Sequence, residues 1–261
     1  MSRMPTLFLS HGSPMHALDP GGAGPAWQAI AADVPRPKAI VVASAHWETS
    51  LPMLSGRESL DTIHDFGGFP AELYRVRYDV PGSPATAQRA ADLLREAGFT
   101  PAVNGCRGID HGAWVPLKWM YPERDVPVIQ VSVQTPLGTA HHLRVGEALA
   151  PLADEGVLIV GSGHVTHNLQ DWFRHHADPR PLDYVAQFSE WLARAIDAND
   201  RDALLNYRDR APSAARAHPT EEHFLPLFVA LGAAGPAAQA RRMYATIDAA
   251  ALAMDAYRFD G

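Results

Sequence analysis

Short apolar runs that stop at Gly, Ser or His punctuate this chain. Thr6 to Leu9, Ala39 to Ser44, Val126 to Val133 and Val157 to Val160 are rich in Val, Ile and Leu, without strict polar alternation. That pattern predicts parallel strands covered on both faces. Helical patterns lie between them. Pro25 to Val34 carries Pro at its first turn, and Pro84 to Phe99 places Ala87, Ala90, Ala91, Leu94 and Ala97 near one face before Gly98. Gly138 to Gly156 leads into the fourth strand, and Leu182 to Asp200 is amphipathic. In the tail, RMYATID and MDAYRF read as closing strands, antiparallel at an edge, around a short DAAALAM stretch. The alternation of strand and helix predicts an α/β fold, a three-layer α/β/α arrangement around a mostly parallel central sheet. With no repeat and no low-complexity linker, residues 1–261 read as a single catalytic domain.

Composition narrows the function classes. The net charge is −7 with His neutral, and the longest basic run is the ARR at Ala240 to Arg242. Neither nucleic acid nor an anionic membrane is an expected partner. No apolar run approaches the length of a membrane span, and MSRMPTLFLS is too short in its apolar part for a secretory signal. A single cysteine, Cys106, rules out an internal disulfide, fits a reducing, cytoplasmic location, and reads as a small core residue.

The thirteen histidines change the picture through their placement. In open α/β sheets, ligands gather beyond the carboxyl ends of the strands. His11 follows the first predicted strand in SHGSP, and His46 follows the second in SAHWE. His164 and His167 follow the fourth in GSGHVTHNL. DHGAWVPL adds Asp110 and His111 before an apolar helical run. HPTEEHFLPL adds His218, Glu221, Glu222 and His223 around a helix start, with Thr220 as N-cap. HDFGGFP, His64 to Pro70, has the composition of a flexible lid. His16, His141, His142, His175 and His176 lie in polar segments and read as surface, while His218 before Pro219 could orient its loop.

Imidazoles with an optional carboxylate suit Fe(II), Zn, Ni or Mn, and one thiol excludes a closed Cys-rich zinc site. No HExxH helix, GxSxG elbow, Walker A loop or strand-linked GxGxxG is present. An oxygen-activating iron centre, a zinc hydrolase acting on a small molecule, and a metal-pocket binding protein all fit this residue set.

Taken in order, SHGSP, SAHWE, HDFGGFP, DHGAWVPL, GSGHVTHNL and HPTEEHFLPL resemble the class III extradiol ring-cleavage dioxygenases, in particular the branch of DOPA 4,5-dioxygenase type. The resemblance runs from His11 to Leu227. It implies a non-haem Fe(II) enzyme that opens a DOPA-like catechol with O₂ to a semialdehyde, with zinc as a metal sometimes found in its place. It implies His11, His46 and His223 as metal ligands, with Glu222 the alternative third ligand. It implies His167 as the acid/base group and His111, oriented by Asp110, beside the substrate, and it assigns no essential role to His164. Phe66, Phe69 and Trp114 are candidates for the apolar walls, with Tyr74 and Gln134 weaker ones. Arg75, Arg77 and Arg107 flank the motifs as candidate partners for an acidic substituent. A small homo-oligomer is compatible with this reading.

Overall fold

The computed structural model describes residues 3–178 and 180–261. Its strands are β1 (Thr6–Ser10), β2 (Ala39–Glu48), β3 (Met53–Ser55), β4 (Ser59–Leu60), β5 (Val80–Pro81), β6 (Ala102–Asn104), β7 (Val128–Val133), β8 (Val157–Gly163), β9 (Gln239–Tyr244), β10 (Ile247–Asp248), β11 (Leu252–Ala253) and β12 (Ala256–Asp260). Eight of them form one sheet in the order β6-β3-β7-β2-β8-β1-β12-β9. Its centre, β7, β2, β8 and β1, is parallel. The two closing strands β12 and β9 add antiparallel at one edge, and β3 meets β7 antiparallel at the other.

Both faces of this centre are covered, which is why its strands read as continuous apolar runs. Ile40 and Val42 of β2, with Leu158 and Val160 of β8, pack with Trp27 and Ile30 of the helix Ala23–Asp33 and with Trp114 and Leu117 of the helix His111–Met120. Val41, Ala43 and Ile159 alternate to the opposite face. There they meet Leu149 of the helix Gly138–Leu149, Val229 of the helix Leu225–Ala234 and Leu94 of the helix Pro84–Glu96. The result is the expected three-layer α/β/α arrangement. The helix Leu225–Ala234 is buried along its whole length, which explains its uniformly apolar sequence.

Differences from the expected elements have local causes. The run Gly138 to Gly156 is two helices, Gly138–Leu149 and Pro151–Asp154, because Pro151 has no N–H to continue the first. DAAALAM, for all its good helix formers, makes a turn: Ala249 and Ala250, at φ 46° and 64°, carry β10 back on β11. The three-residue strands β3 and β6 are too short to announce themselves by periodicity. Among the described residues, no helix is long and apolar enough to cross a membrane.

Candidate metal centre

Parallel strands side by side deliver their last residues to one place, and the central three strands do so here. His11 follows β1 directly, and its N–H donates to the Gly163 carbonyl (3.1 Å), tying it to the end of β8. Gly12, at φ 73°, then turns the chain in a conformation that a side chain would strain. His46 lies near the end of β2, beyond the register shift that follows Ala43. Its N–H donates to Ser44 Oγ (3.2 Å), which donates to Asp110 Oδ1 (2.6 Å). His164 follows β8, and its N–H donates to the His223 carbonyl (2.8 Å). His223 thereby enters the same space from the segment that leads into the helix Leu225–Ala234.

Three imidazoles converge through their Nε2 atoms. His46 Nε2 is 3.1 Å from His11 Nε2 and 3.2 Å from His223 Nε2. The outer nitrogens identify the tautomers. Ser162 Oγ donates its one hydrogen to the Gly112 carbonyl, so its oxygen accepts from His11 Nδ1 (3.0 Å). His223 Nδ1 donates to the Glu222 carboxylate (2.9 Å). His11 and His223 therefore both present Nε2 lone pairs inward. His46 could donate to one of them at most, which leaves lone pairs facing one another across the cluster. A cation resolves this. With metal–nitrogen bonds of about 2.1 Å, neighbouring nitrogens lie about 3.0 Å apart at octahedral angles and about 3.4 Å apart at tetrahedral ones. The observed spacings fall in that interval, so His11, His46 and His223 fit as a three-imidazole site that could hold a divalent metal on one face.

The groups around this cluster are set in turn. Asp65 Oδ2 accepts from His111 Nδ1 (2.9 Å) and lies 3.6 Å from His46 Nδ1, while Oδ1 accepts from the His111 N–H (2.9 Å). His167 stacks on His223, with ring centroids 3.5 Å apart and planes 10° from parallel. The His164 ring is buried against His11 with its Nδ1 unpartnered. All six histidines, 11, 46, 111, 164, 167 and 223, line one cavity of about 660 Å³. The loop residues Phe66 and Phe69 form apolar lining, together with Leu169, Trp172 and Phe173 of the helix Leu169–His175.

Residues 5–252 match the family described as the catalytic LigB subunit of aromatic ring-opening dioxygenase. The chain belongs to that family. Among its relatives, a 4,5-DOPA dioxygenase extradiol of Beta vulgaris is 44% identical over 97% of this chain and 96% of its own length. The enzyme of the same name from Escherichia coli K12 is 42% identical over 89% of this chain and 86% of its own length. The crystal structure of an uncharacterized Escherichia coli K12 protein aligns with TM-score 0.83 at 35% identity, covering 99% of this chain and all of that one.

The placement of the histidines in this aromatic ring-opening dioxygenase has an electrostatic consequence. Burial, reinforced by neighbouring imidazoles, holds His11, His164 and His223 well below the ordinary histidine value. Burial likewise lowers His46, His167 and His218 to about 3 and His142 to about 4. For Asp65, burial pushes the carboxyl up, but the hydrogen bonds and charge of His111 and the nearby His46 outweigh it and hold it at about 2. The seven histidines are thus neutral when folded and protonated when unfolded in mild acid. The unfolded state binds more protons below its own value near 6.5, so stability is full above that pH and falls as pH drops below it. Denaturant titration of the metal-free protein at pH 7.5, 6.0 and 5.0 should show a steep decline. Unchanged stability at pH 5.0 would contradict neutral burial of these rings.

Several sequence expectations are corrected. Asp110 does not orient His111; it caps the helix at Ala113 N–H (3.3 Å) and binds Gln130 and Arg107 (2.7 and 2.8 Å). The orienting group is Asp65, which the HDFGGFP segment contained but the histidine pattern did not single out. His218 is a core residue: its Nε2 donates to the Val165 carbonyl (2.8 Å) and its ring packs against Phe224 and Phe188. Glu222 accepts from His223 behind the ring. Thr220 is not an N-cap; it donates to Glu222 (3.0 Å), and the helix begins only at Leu225. Trp114 is fully buried and donates to the Ile63 carbonyl (2.9 Å), supporting the loop from beneath rather than lining the cavity. Tyr74 accepts from Phe69 N–H (3.4 Å), and Gln134 bonds Ser132 and His141 away from the site. His16 and His142 are buried caps of turns, accepting from Ser13 N–H and Gln134 N–H respectively (both 3.0 Å). Cys106 is exposed rather than in the core.

Gly163 marks where β8 touches the three-histidine cluster. A Cβ there would lie 2.0 Å from the His223 carbonyl oxygen. Gly163→Ala is expected to displace His223, lowering stability by about 3 kcal/mol and weakening metal retention together. A variant with wild-type melting temperature and metal content would show that this contact does not position His223.

Proposed function

We propose that this chain is a non-haem Fe(II)-dependent extradiol dioxygenase that opens a DOPA-like catechol ring with O₂ to a semialdehyde. His11, His46 and His223 hold the iron in this reading, and His167 is the acid/base residue. The observation that carries it is the meeting of three imidazole Nε2 atoms, two of them held as lone-pair tautomers by Ser162 and Glu222. Three neutral imidazoles would leave the charge of a divalent ion uncompensated, which would favour a deprotonated diol. Iron, when bound, supplies the place where the diol oxygens and O₂ meet and exchange electrons.

The protein's own groups do the rest. His167, neutral in its buried setting, accepts the proton of a catechol hydroxyl and returns it during ring opening. His111 is fixed by Asp65 at the cavity wall, where its other ring nitrogen can contact a diol oxygen or the developing product. Phe66 and Phe69 contact the ring faces and exclude water. Both atoms of O₂ enter the product as one carbon–carbon bond beside the diol breaks. Reconstitution under nitrogen with Fe(II), addition of a catechol and admission of oxygen should give oxygen uptake with the yellow absorbance of a semialdehyde. Zinc-loaded protein should give neither. Turnover of a small-molecule ester or amide by the zinc form without oxygen would favour hydrolysis instead.

A further inference from the structure

His46 sits where β2 has left both of its neighbours. Pairing with β8 ends at Ser44, and pairing with β7 passes from Ala43 to Glu48, so Ser44 to Trp47 face only Ser132. A strand interrupted in this way leaves backbone groups that must find partners elsewhere. For His46, side chains supply both. Its N–H donates to Ser44 Oγ (3.2 Å), and its carbonyl accepts from Arg107 Nη2 (3.2 Å). These two partners meet at one carboxylate. Asp110 Oδ1 accepts from Ser44 Oγ (2.6 Å), and Oδ2 accepts from the same Arg107 nitrogen (2.8 Å) and from Gln130 Nε2 (2.7 Å). Asp110 is fully buried, and its own N–H donates to Gln130 of β7 (3.1 Å). Arg107 is held in turn. Its guanidinium lies over the Trp47 ring, 4.7 Å from the centroid, and its N–H donates to Asn104 Oδ1 (2.9 Å).

The same helix start also reaches His11. The Gly112 carbonyl accepts from Ser162 Oγ, whose oxygen fixes His11 Nδ1. A Cβ on Gly112 would lie 2.7 Å from Ser44 Oγ and 2.9 Å from His46 Cδ2, so helix and ligand segment are in close contact. We propose that Arg107, Asp110 and Ser44 are positioning residues for the metal site, a clamp that closes on both backbone groups of His46 and holds its Nε2 where it meets those of His11 and His223. This rests on the three-imidazole reading above and deepens it. A buried ion pair adds little to stability but sets strict geometry, and here it fixes a ligand in a segment that the sheet itself does not hold.

The test compares two buried pairs of the same chemistry. Arg242 and Asp255 form the second, with side chains 26% and 1% exposed against 20% and 0% for Arg107 and Asp110. The side-chain partners of Arg242 are Asp255, Glu190 and Ser189. Arg107→Met and Arg242→Met are each expected to lower the melting temperature of the metal-free protein. Only Arg107→Met should also lose about 10- to 100-fold in Zn(II) affinity, measured by competition with a coloured chelator, the range for groups that support a metal ligand from behind. Its Co(II) form should show shifted visible bands, because a displaced imidazole changes the ligand field. Arg107→Lys returns a donor to both acceptors and should recover most of the affinity and the wild-type Co(II) spectrum. Ser44→Ala removes the other arm with less disturbance to folding and should lose Zn(II) affinity in the same direction. Wild-type affinity in Ser44→Ala, or wild-type affinity and spectrum in Arg107→Met, would overturn the clamp while leaving the three-histidine site standing. Equal affinity losses in the two methionine variants would also overturn it, since the loss would then follow stability alone. Wild-type protein that binds neither ion would remove the metal reading itself, and the clamp with it.

Discussion

Replacing His46 with alanine is expected to abolish stoichiometric iron binding and ring cleavage while leaving the fold intact. His46 Nε2 is the atom shared by both short nitrogen contacts of the cluster, 3.1 Å to His11 and 3.2 Å to His223, so its loss leaves two ligands and an open face. Loss of orienting partners around a metal typically costs 10- to 100-fold in affinity, and loss of a ligand is expected to exceed about 100-fold. Stability should barely respond. In the metal-free protein His46 is a ring held neutral by burial, its side chain 22% exposed at the cavity wall, and its removal opens no apolar core. The metal-free variant should therefore melt within a few degrees of the metal-free wild type. Metal analysis after dialysis, beside thermal unfolding, separates the two effects. Retention of one iron per chain would remove His46 from the ligand set.

The second large effect is at His167, where the opposite dissociation is expected. His167→Ala should retain iron and lose about 10²- to 10⁴-fold in kcat, the range over which a positioned acid/base group acts. The ring stacks on His223 with centroids 3.5 Å apart but is not one of the three Nε2 groups of the proposed ligand set, so that set is expected to survive its removal. The loss should fall on kcat more than on catechol binding. His167→Ala with near-full turnover would transfer the proton role to another group, with His111 the next candidate at the cavity wall.

How much of this was legible in the chain depends on how locally each feature is encoded. Buried parallel strands write themselves as continuous apolar runs, so the ends of β1, β2 and β8 could be found, and with them His11, His46 and His164. The partners that set those rings come from elsewhere. Ser162 is 151 residues from His11, and Asp65 is 46 from His111. No periodicity links them, and only the folded sheet brings them together. The reading of Asp110 as orienter failed for a related reason. Sequence adjacency to His111 suggested contact, but an N-cap side chain turns back to its own helix. His142 was misread because its neighbours are polar, although the ring itself fills a turn as acceptor for Gln134 N–H. The apolar residues Leu169, Trp172 and Phe173 escaped notice because a seven-residue helix bordering a cavity carries no core-facing stripe long enough to stand out.

The most direct measurement is the fate of isotopically labelled oxygen. Protein reconstituted anaerobically with Fe(II) is mixed with a catechol and ¹⁸O₂, quenched rapidly, and the product analysed by mass spectrometry. The account predicts a ring-opened product carrying label from both atoms of O₂, one in the carboxylate and one in the aldehyde before exchange with water. A product whose carboxylate oxygen comes entirely from water, or an unopened ring, would contradict dioxygenation at the three-histidine centre.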